Sequence, residues 1–329
     1  AMFAYALMAV IVYFLMTSLG EMSTYKPSSG SFCDYSTQYV GKSFGFAMSY
    51  NYWLNWAITI AAELSAAALV MSYWFPDVNP VYFSLAFFVM IFIANIFSVK
   101  VYGEIEYWLS FIKVGVIIVF IVLGFFTVMQ QPQFGTHNWH IADAPFHNGW
   151  YGFIAVFLFA GFSFQGTELI GVASGETKDP EKSIPKSIKL VFWRLTLFYV
   201  LSIGIISLLL PFNDPQLAQQ NSVTTSPYTL IFEKFAGMYA ADAMNFIILI
   251  ALISAANASM YSSSRILWYM GQHGQTPSIF KKFNKHGVPI PALLATALVG
   301  SLVFVSSIIG NGTFFGIIVQ ISSLCGFIA

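Results

Sequence analysis

Long apolar runs parted by short polar breaks recur along the whole chain. Within the runs apolar and polar positions do not alternate, as they would in strands with one wet face. The runs therefore predict helices. A membrane-spanning helix needs roughly 20 mostly apolar residues, and nine runs meet that pattern. They lie at about 2–20, 46–73, 81–100, 106–129, 149–175, 190–211, 239–270, 291–309 and 312–329. "WFPDVNP" (74–80) is a turn between the second and third runs. Longer polar connectors follow the fourth and sixth, at 130–149 and 211–228.

Composition turns this pattern into a class. Of 329 residues, 57% are hydrophobic and 9% charged, against about 25% charged in soluble domains. In lipid only helices and closed barrels satisfy their backbone polar groups. The expectation is an all-α polytopic membrane protein. Cys33 and Cys325 are far apart, with nothing metal-like beside them, and read as small buried hydrophobes. His137, His140 and His147 share one polar loop and form no helical ligand pair. The chain opens and closes inside apolar runs, without a basic start or a small-residue cleavage site. It reads as an internal piece of a longer protein.

The basic residues set an orientation. Lys26, Lys42, Lys100, Lys178, Lys182, Lys186, Lys189, Arg194, Arg265, Lys281, Lys282 and Lys285 all follow odd-numbered runs, which places twelve of the fourteen basic residues on one side. Basic loops stay cytoplasmic. A cytoplasmic amino terminus then requires an odd number of spans before Ala1, one being the simplest. A net charge of zero indicates no nucleic acid or other anionic partner; the membrane lipid is the surrounding solvent.

Ionisable residues inside a span are costly and mark candidate sites. Glu63 lies in "SYNYWLNWAITIAAELSAA" (49–67), on one helical face with Tyr52 and Trp56. Ala61, Ala62, Ala66 and Ala67 nearby permit close helix approach. This stripe lines a ligand cavity, or else it is interfacial aromatics beside a packed, protonated carboxylate. Lys113 sits about two turns inside the fourth run. It is a proton carrier, a fixed ammonium at a cation position, or a side chain snorkelling to the near interface.

The fifth run contains "FLFAGFSFQGTELIGVASGE" (157–176), where Gly161, Gly166, Gly171 and Gly175 surround Phe162, Ser163, Phe164, Gln165, Thr167 and Glu168. Glycine weakens a helix. The stretch predicts a break between two half-helices, whose carbonyls attract ammonium and whose N–H groups attract anions. The alternative is a continuous helix with contact glycines. Glu176 either pairs with a nearby lysine or belongs to a cytoplasmic gate. Ser254, Asn257 and Ser259 form a weakly polar strip in the seventh run, as helix–helix glue or as site lining.

"MTSLGEMSTYKPSSGSF" (16–32), "EYWLSFIKV" (106–114), "GFSFQGTELIGVASGETKDPEKSIPKSI" (161–188) and "SAANASMYSSSRILW" (254–268) resemble the amino acid–polyamine–organocation superfamily, in its bacterial amino acid transporter branch. With "NYWLNWAITIA", "VMSYWFPD" and "FSFQGTELIG" the chain looks most like the lysine-specific permeases. The resemblance implies an inverted-repeat fold with broken first and sixth helices. The nine runs would be family helices two to ten of a single, partial transporter domain. The first helix, which holds the substrate carboxylate, and the last two would lie outside the chain, so that this piece alone should not transport.

The resemblance also implies roles. Gly161–Gly166 would offer carbonyls to the substrate amino group. Phe162 and Phe164 would lie near an aromatic gate. Glu168 would serve side-chain recognition or proton coupling, and Tyr52 and Trp56 would line the site. Lys113 would stand where sodium-coupled relatives hold sodium, favouring protons as the coupling ion with no other cofactor. Glu63 matches an acidic position also present in carriers of aromatic amino acids.

The expected function is proton-coupled L-lysine uptake by alternating access in the bacterial inner membrane. The rivals are an exchanger or symporter for arginine or for neutral or aromatic amino acids, and an amino-acid-binding membrane sensor. No nucleophile, base and metal constellation supports an enzyme, and the oligomeric state is left open.

Overall fold

The computed structural model describes the chain apart from residues 29, 98, 131–133, 142–148, 169, 172–178, 215–225, 286 and 329, and apart from the side chains of 97, 99–110 and 180. The helices are α1 (Met2–Tyr25), α2 (Ser31–Tyr39), α3 (Lys42–Met71), α4 (Pro80–Phe97), α5 (Val99–Gln130), α6 (Gly149–Phe164), α7 (Pro180–Leu209), α8 (Pro227–Ala236), α9 (Met238–Gln272), α10 (Ile290–Gly300), α11 (Ser306–Ile309) and α12 (Asn311–Ile328). No strand occurs among the described residues. Seven helical stretches among those residues are long and apolar enough to cross a membrane, and Pro80–Ile96 and Gly149–Phe164 are shorter apolar helices. The protein is an all-α polytopic membrane protein.

Two helices, α2 and α8, lie in stretches that apolar periodicity leaves as connectors, and α8 has a local cap. Ser226 accepts from the Tyr228 N–H, and Pro227 occupies the first turn of α8, where its missing N–H costs nothing. Gly237, at φ +85°, then ends α8 and turns the chain into α9. Gly30 precedes α2 without a side-chain cap. Between α10 and α11 the backbone tightens to a 3-10 helix, Ser301–Val305.

Apolar positions cover several helices all round, and lipid contact accounts for much of that. Phe3, Leu7 and Phe14 of α1, Phe111 and Phe125 of α5, and Trp193 and Leu197 of α7 are exposed. Helix α3 differs: 83% of its most apolar window is buried inside the protein, against 11% for the Phe111–Gln130 window of α5. Polar side chains on α3 therefore face protein.

The chain forms two compact units. The first comprises residues 1–52, 146–203 and 323–329; the second comprises 53–145 and 204–322. In the first, α1 packs on α6, with Met8 and Ala9 against Ala160, Phe164 and Phe192. In the second, α9 packs on α4, α5, α8 and α10.

Lipid tails are as apolar as leucine, so close packing and hydrogen bonds hold such helices together. A Cβ at Gly20 would meet Ile188 at 2.5 Å, and one at Gly124 would meet Ile205 at 2.3 Å. Trp53 Nε1 donates to Thr296 Oγ1 at 3.1 Å, and Ser263 Oγ donates to the Trp53 carbonyl at 3.1 Å. Ser322 Oγ donates to Asn55 Oδ1 at 2.8 Å. Each such buried bond contributes about 1 kcal/mol net, and its loss leaves a polar group that costs more.

Candidate functional site

In the first unit α6 stays helical through Phe164, so Gly161, Phe162, Ser163 and Phe164 lie inside the helix. The chain leaves the helix at Gln165–Glu168, which form turns, and is helical again at Ile170 and Gly171. The expectation of a break opening at Gly161 is thus corrected: it opens four residues later. Gly166 makes the turn with φ +96°, a conformation glycine adopts without steric cost. Gly161 is instead a contact glycine, whose Cβ would sit 2.6 Å from Ser323 Oγ and 2.7 Å from the Phe327 ring. Gly175 and Glu176 lie outside the described residues.

The break leaves backbone groups that the fold partly satisfies itself. The Phe162 carbonyl accepts from Gln165 N–H at 3.2 Å. The Ser163 carbonyl accepts from Tyr199 Oη–H at 2.6 Å. The Phe164 carbonyl accepts from Thr167 Oγ1 at 3.0 Å. Ser163 Oγ also lies 2.9 Å from Tyr5 Oη. Tyr5, Phe164 and Tyr199 pack together, with Phe164 and Tyr199 edge-on at 5.0 Å. Neither tyrosine is singled out by the sequence; the only signal is a phenol inside an apolar run, which must find a partner when buried.

Glu168 is held at the break. Its Oε2 accepts from the Gly166 N–H at 2.8 Å, and its Oε1 from the Tyr52 hydroxyl at 3.2 Å. Tyr52 is buried, at 3% exposure. The Phe32 ring of α2 meets it edge-on at 4.7 Å. This carboxylate is positioned by one backbone donor and one phenol.

In the second unit Lys113 of α5 meets α9. Its Nζ donates to Ser254 Oγ of α9 at 2.8 Å. One turn further along α9, Asn257 Oδ1 accepts from Asn95 Nδ2 of α4 at 2.6 Å, and Asn95 also donates to the Ile91 carbonyl at 2.8 Å. Trp56 is buried at 7% exposure. Of the stripe expected on α3, Tyr52 bonds Glu168. Asn95 and Ser254 were not singled out beside Lys113, because periodicity says which face a residue takes and not which helix meets it.

A profile of the amino acid permease family matches residues 1–329. The lysine-specific permease LysP of Lactococcus lactis subsp. cremoris (strain MG1363) is 47% identical over 339 residues, covering 100% of this chain and 66% of that protein. The lysine-specific permease LysP of Escherichia coli (strain K12) is 47% identical over 336 residues, covering 100% of this chain and 68% of that protein. The histidine permease HisP of the same Lactococcus strain is 44% identical over 334 residues, covering 100% of this chain and 70% of that protein. The chain thus spans about two thirds of the length of the curated relatives it matches. With its apolar helices, this similarity makes it a multi-pass protein of the bacterial inner membrane. From Ala1 to Ala329, the chain belongs to the amino acid permease family.

Proposed function

We propose that the full-length protein takes up L-lysine by proton-coupled alternating access, with this chain as part of one transmembrane transporter domain and its basic loops in the cytoplasm. The observation that carries the reading is Glu168, a carboxylate held at a helix break by the Gly166 N–H and the Tyr52 hydroxyl. The break at Gln165–Glu168 presents backbone carbonyls to a substrate amino group. Glu168 supplies counter-charge to a cationic side chain, with Tyr52 as aromatic lining; Trp56 is a lining candidate from the family resemblance alone.

Lys113 is the proton-carrying group, bonded to Ser254. Glu63, on the same α3 stripe as Tyr52 and Trp56, is kept as a substrate-site candidate. Asn257, engaged by Asn95, is kept as a lining candidate. Glu176 is the remaining candidate for coupling or gating.

The test is the full-length protein in vesicles under an imposed pH gradient, acid outside. Lysine should accumulate, and a protonophore should collapse the accumulation. Uptake indifferent to the gradient overturns the symport, and binding without accumulation favours a sensor. The 44% identity to a histidine permease supports a second reading, in which the cargo is another amino acid. Counterflow against arginine, histidine and neutral or aromatic amino acids separates the two, and also detects exchange.

A further inference from the structure

Helix α2 has no part in the roles above, yet its first turn touches the site of the first unit. Phe32 meets Tyr52 with ring centroids 4.7 Å apart and planes at 78°. Tyr52 in turn donates to Glu168. An edge-to-face pair has a preferred geometry, so Phe32 restricts where the phenol points.

The beginning of α2 is held from several directions. Ser31 is wholly buried and has φ +47°, a left-handed backbone uncommon outside glycine, asparagine and aspartate. Such conformations persist where the surroundings over-determine them. Here Ser31 lies against Gly171, whose Cβ would sit 2.6 Å from Ser31 Oγ and 2.9 Å from Leu19. The Ser28 hydroxyl donates to Asp34 and accepts from the Gly30 N–H at 3.1 Å. Tyr35 donates to the Lys26 carbonyl at 2.7 Å and packs with Met16, Leu19, Ile184 and Ile188. These contacts tie Phe32 to α1 and α7 while it touches the residue that holds Glu168.

We propose that Phe32 is a positioning residue of the binding site: it orients Tyr52 on Glu168 and joins that contact to the packing of α2 on α1 and α7. Its effect on substrate rests on the transport reading above, but its effect on the empty site does not. In the ligand-free full-length protein, Phe32→Ala should speed hydrogen exchange of the amides at 165–168 by about 3- to 10-fold, because the Gly166 N–H is bonded to the carboxylate that Tyr52 holds. Phe32→Tyr keeps the ring and should exchange like the parent.

In a Tyr52→Phe background the phenol no longer reaches Glu168, so adding Phe32→Ala should change exchange little. In transport, Phe32→Ala should raise the KM for lysine by a similar factor and change kcat less. Exchange at 165–168 that Phe32→Ala leaves unaltered overturns the proposal. An equal increase with and without the Tyr52 hydroxyl overturns it too, as does a loss of folded protein with a normal KM in what remains. Parent vesicles that move no amino acid would end the transport reading, while the exchange measurement, which needs no substrate, still decides Phe32.

Discussion

Lys113 of α5 and Ser254 of α9 meet through a hydrogen bond of 2.8 Å, Nζ to Oγ. An ammonium so deep in a span is costly without a partner, and a hydroxyl that accepts a hydrogen bond from it answers part of that cost. If Lys113 couples protons to transport, Lys113→Ala should abolish gradient-driven accumulation of lysine in vesicles and leave counterflow measurable. Ser254→Ala should weaken accumulation several-fold without abolishing it, and Ser254→Thr should retain it. Full accumulation by Lys113→Ala would remove the residue from the mechanism.

Glu168 accepts from Gly166 and Tyr52, and the two donors differ in what can be changed. Glu168→Gln keeps the shape and removes the charge. A hydrogen bond to a charged group contributes about 1.5–3 kcal/mol, so the KM for lysine should rise roughly 10- to 100-fold. Tyr52→Phe leaves the backbone donor in place and should cost roughly tenfold or less. A substrate panel checks the direction: Glu168→Gln should lose cationic amino acids more than neutral ones. Equal loss for both would show that the carboxylate shapes the break without reading the substrate's charge.

Gly161 tests the close approach on α6. A Cβ there would lie 2.6 Å from Ser323 Oγ and 2.7 Å from the Phe327 ring. Overpacking of this kind costs about 1–3 kcal/mol. Gly161→Val should lower the thermal midpoint of the purified protein by several degrees, whereas Gly161→Ala should lower it less. An unchanged midpoint for the valine variant would mean that the contact yields at little cost.

Cys33 reports on α2. Burial, partly offset by a hydrogen bond with Ser49 and assisted by the Asp34 charge, pushes its thiol from an ordinary 9.0 up to about 11. Only the thiolate reacts. With Cys325 changed to serine, maleimide labelling of the folded protein should be slow at pH 7. Below the raised value, the rate should climb about tenfold for each pH unit. Mass spectrometry of the labelled peptide measures it. Rapid labelling near neutral pH would show that α2 opens readily, which the fixed Phe32 contact does not allow.

Much of the fold is legible in the run lengths alone. Helix α3 was readable as a span, and Tyr52, Trp56 and Glu63 as its polar face, because periodicity is a local property of the backbone. Helices α2 and α8 were not, since both are short and depend on turn and cap geometry. The site was legible as a list of costly residues: Lys113, Glu168 and the glycine cluster. The start of the break was misplaced because glycine content locates a weak point, whereas internal hydrogen bonds decide where the helix ends.

The sequence by itself determined a membrane-embedded helical protein, the asymmetry of its basic residues, the ionisable residues within its apolar runs and the family they belong to. It did so because hydrophobicity, charge and helical period are carried by residues near one another in the chain. Only the tertiary structure decided that Tyr52 bonds Glu168, that Lys113 bonds Ser254 and that Asn95 bonds Asn257. These partners are 116, 141 and 162 residues apart. Their meeting depends on which helix faces pack, and side-chain contact across packed helices has no signature in the spacing of either strand of sequence.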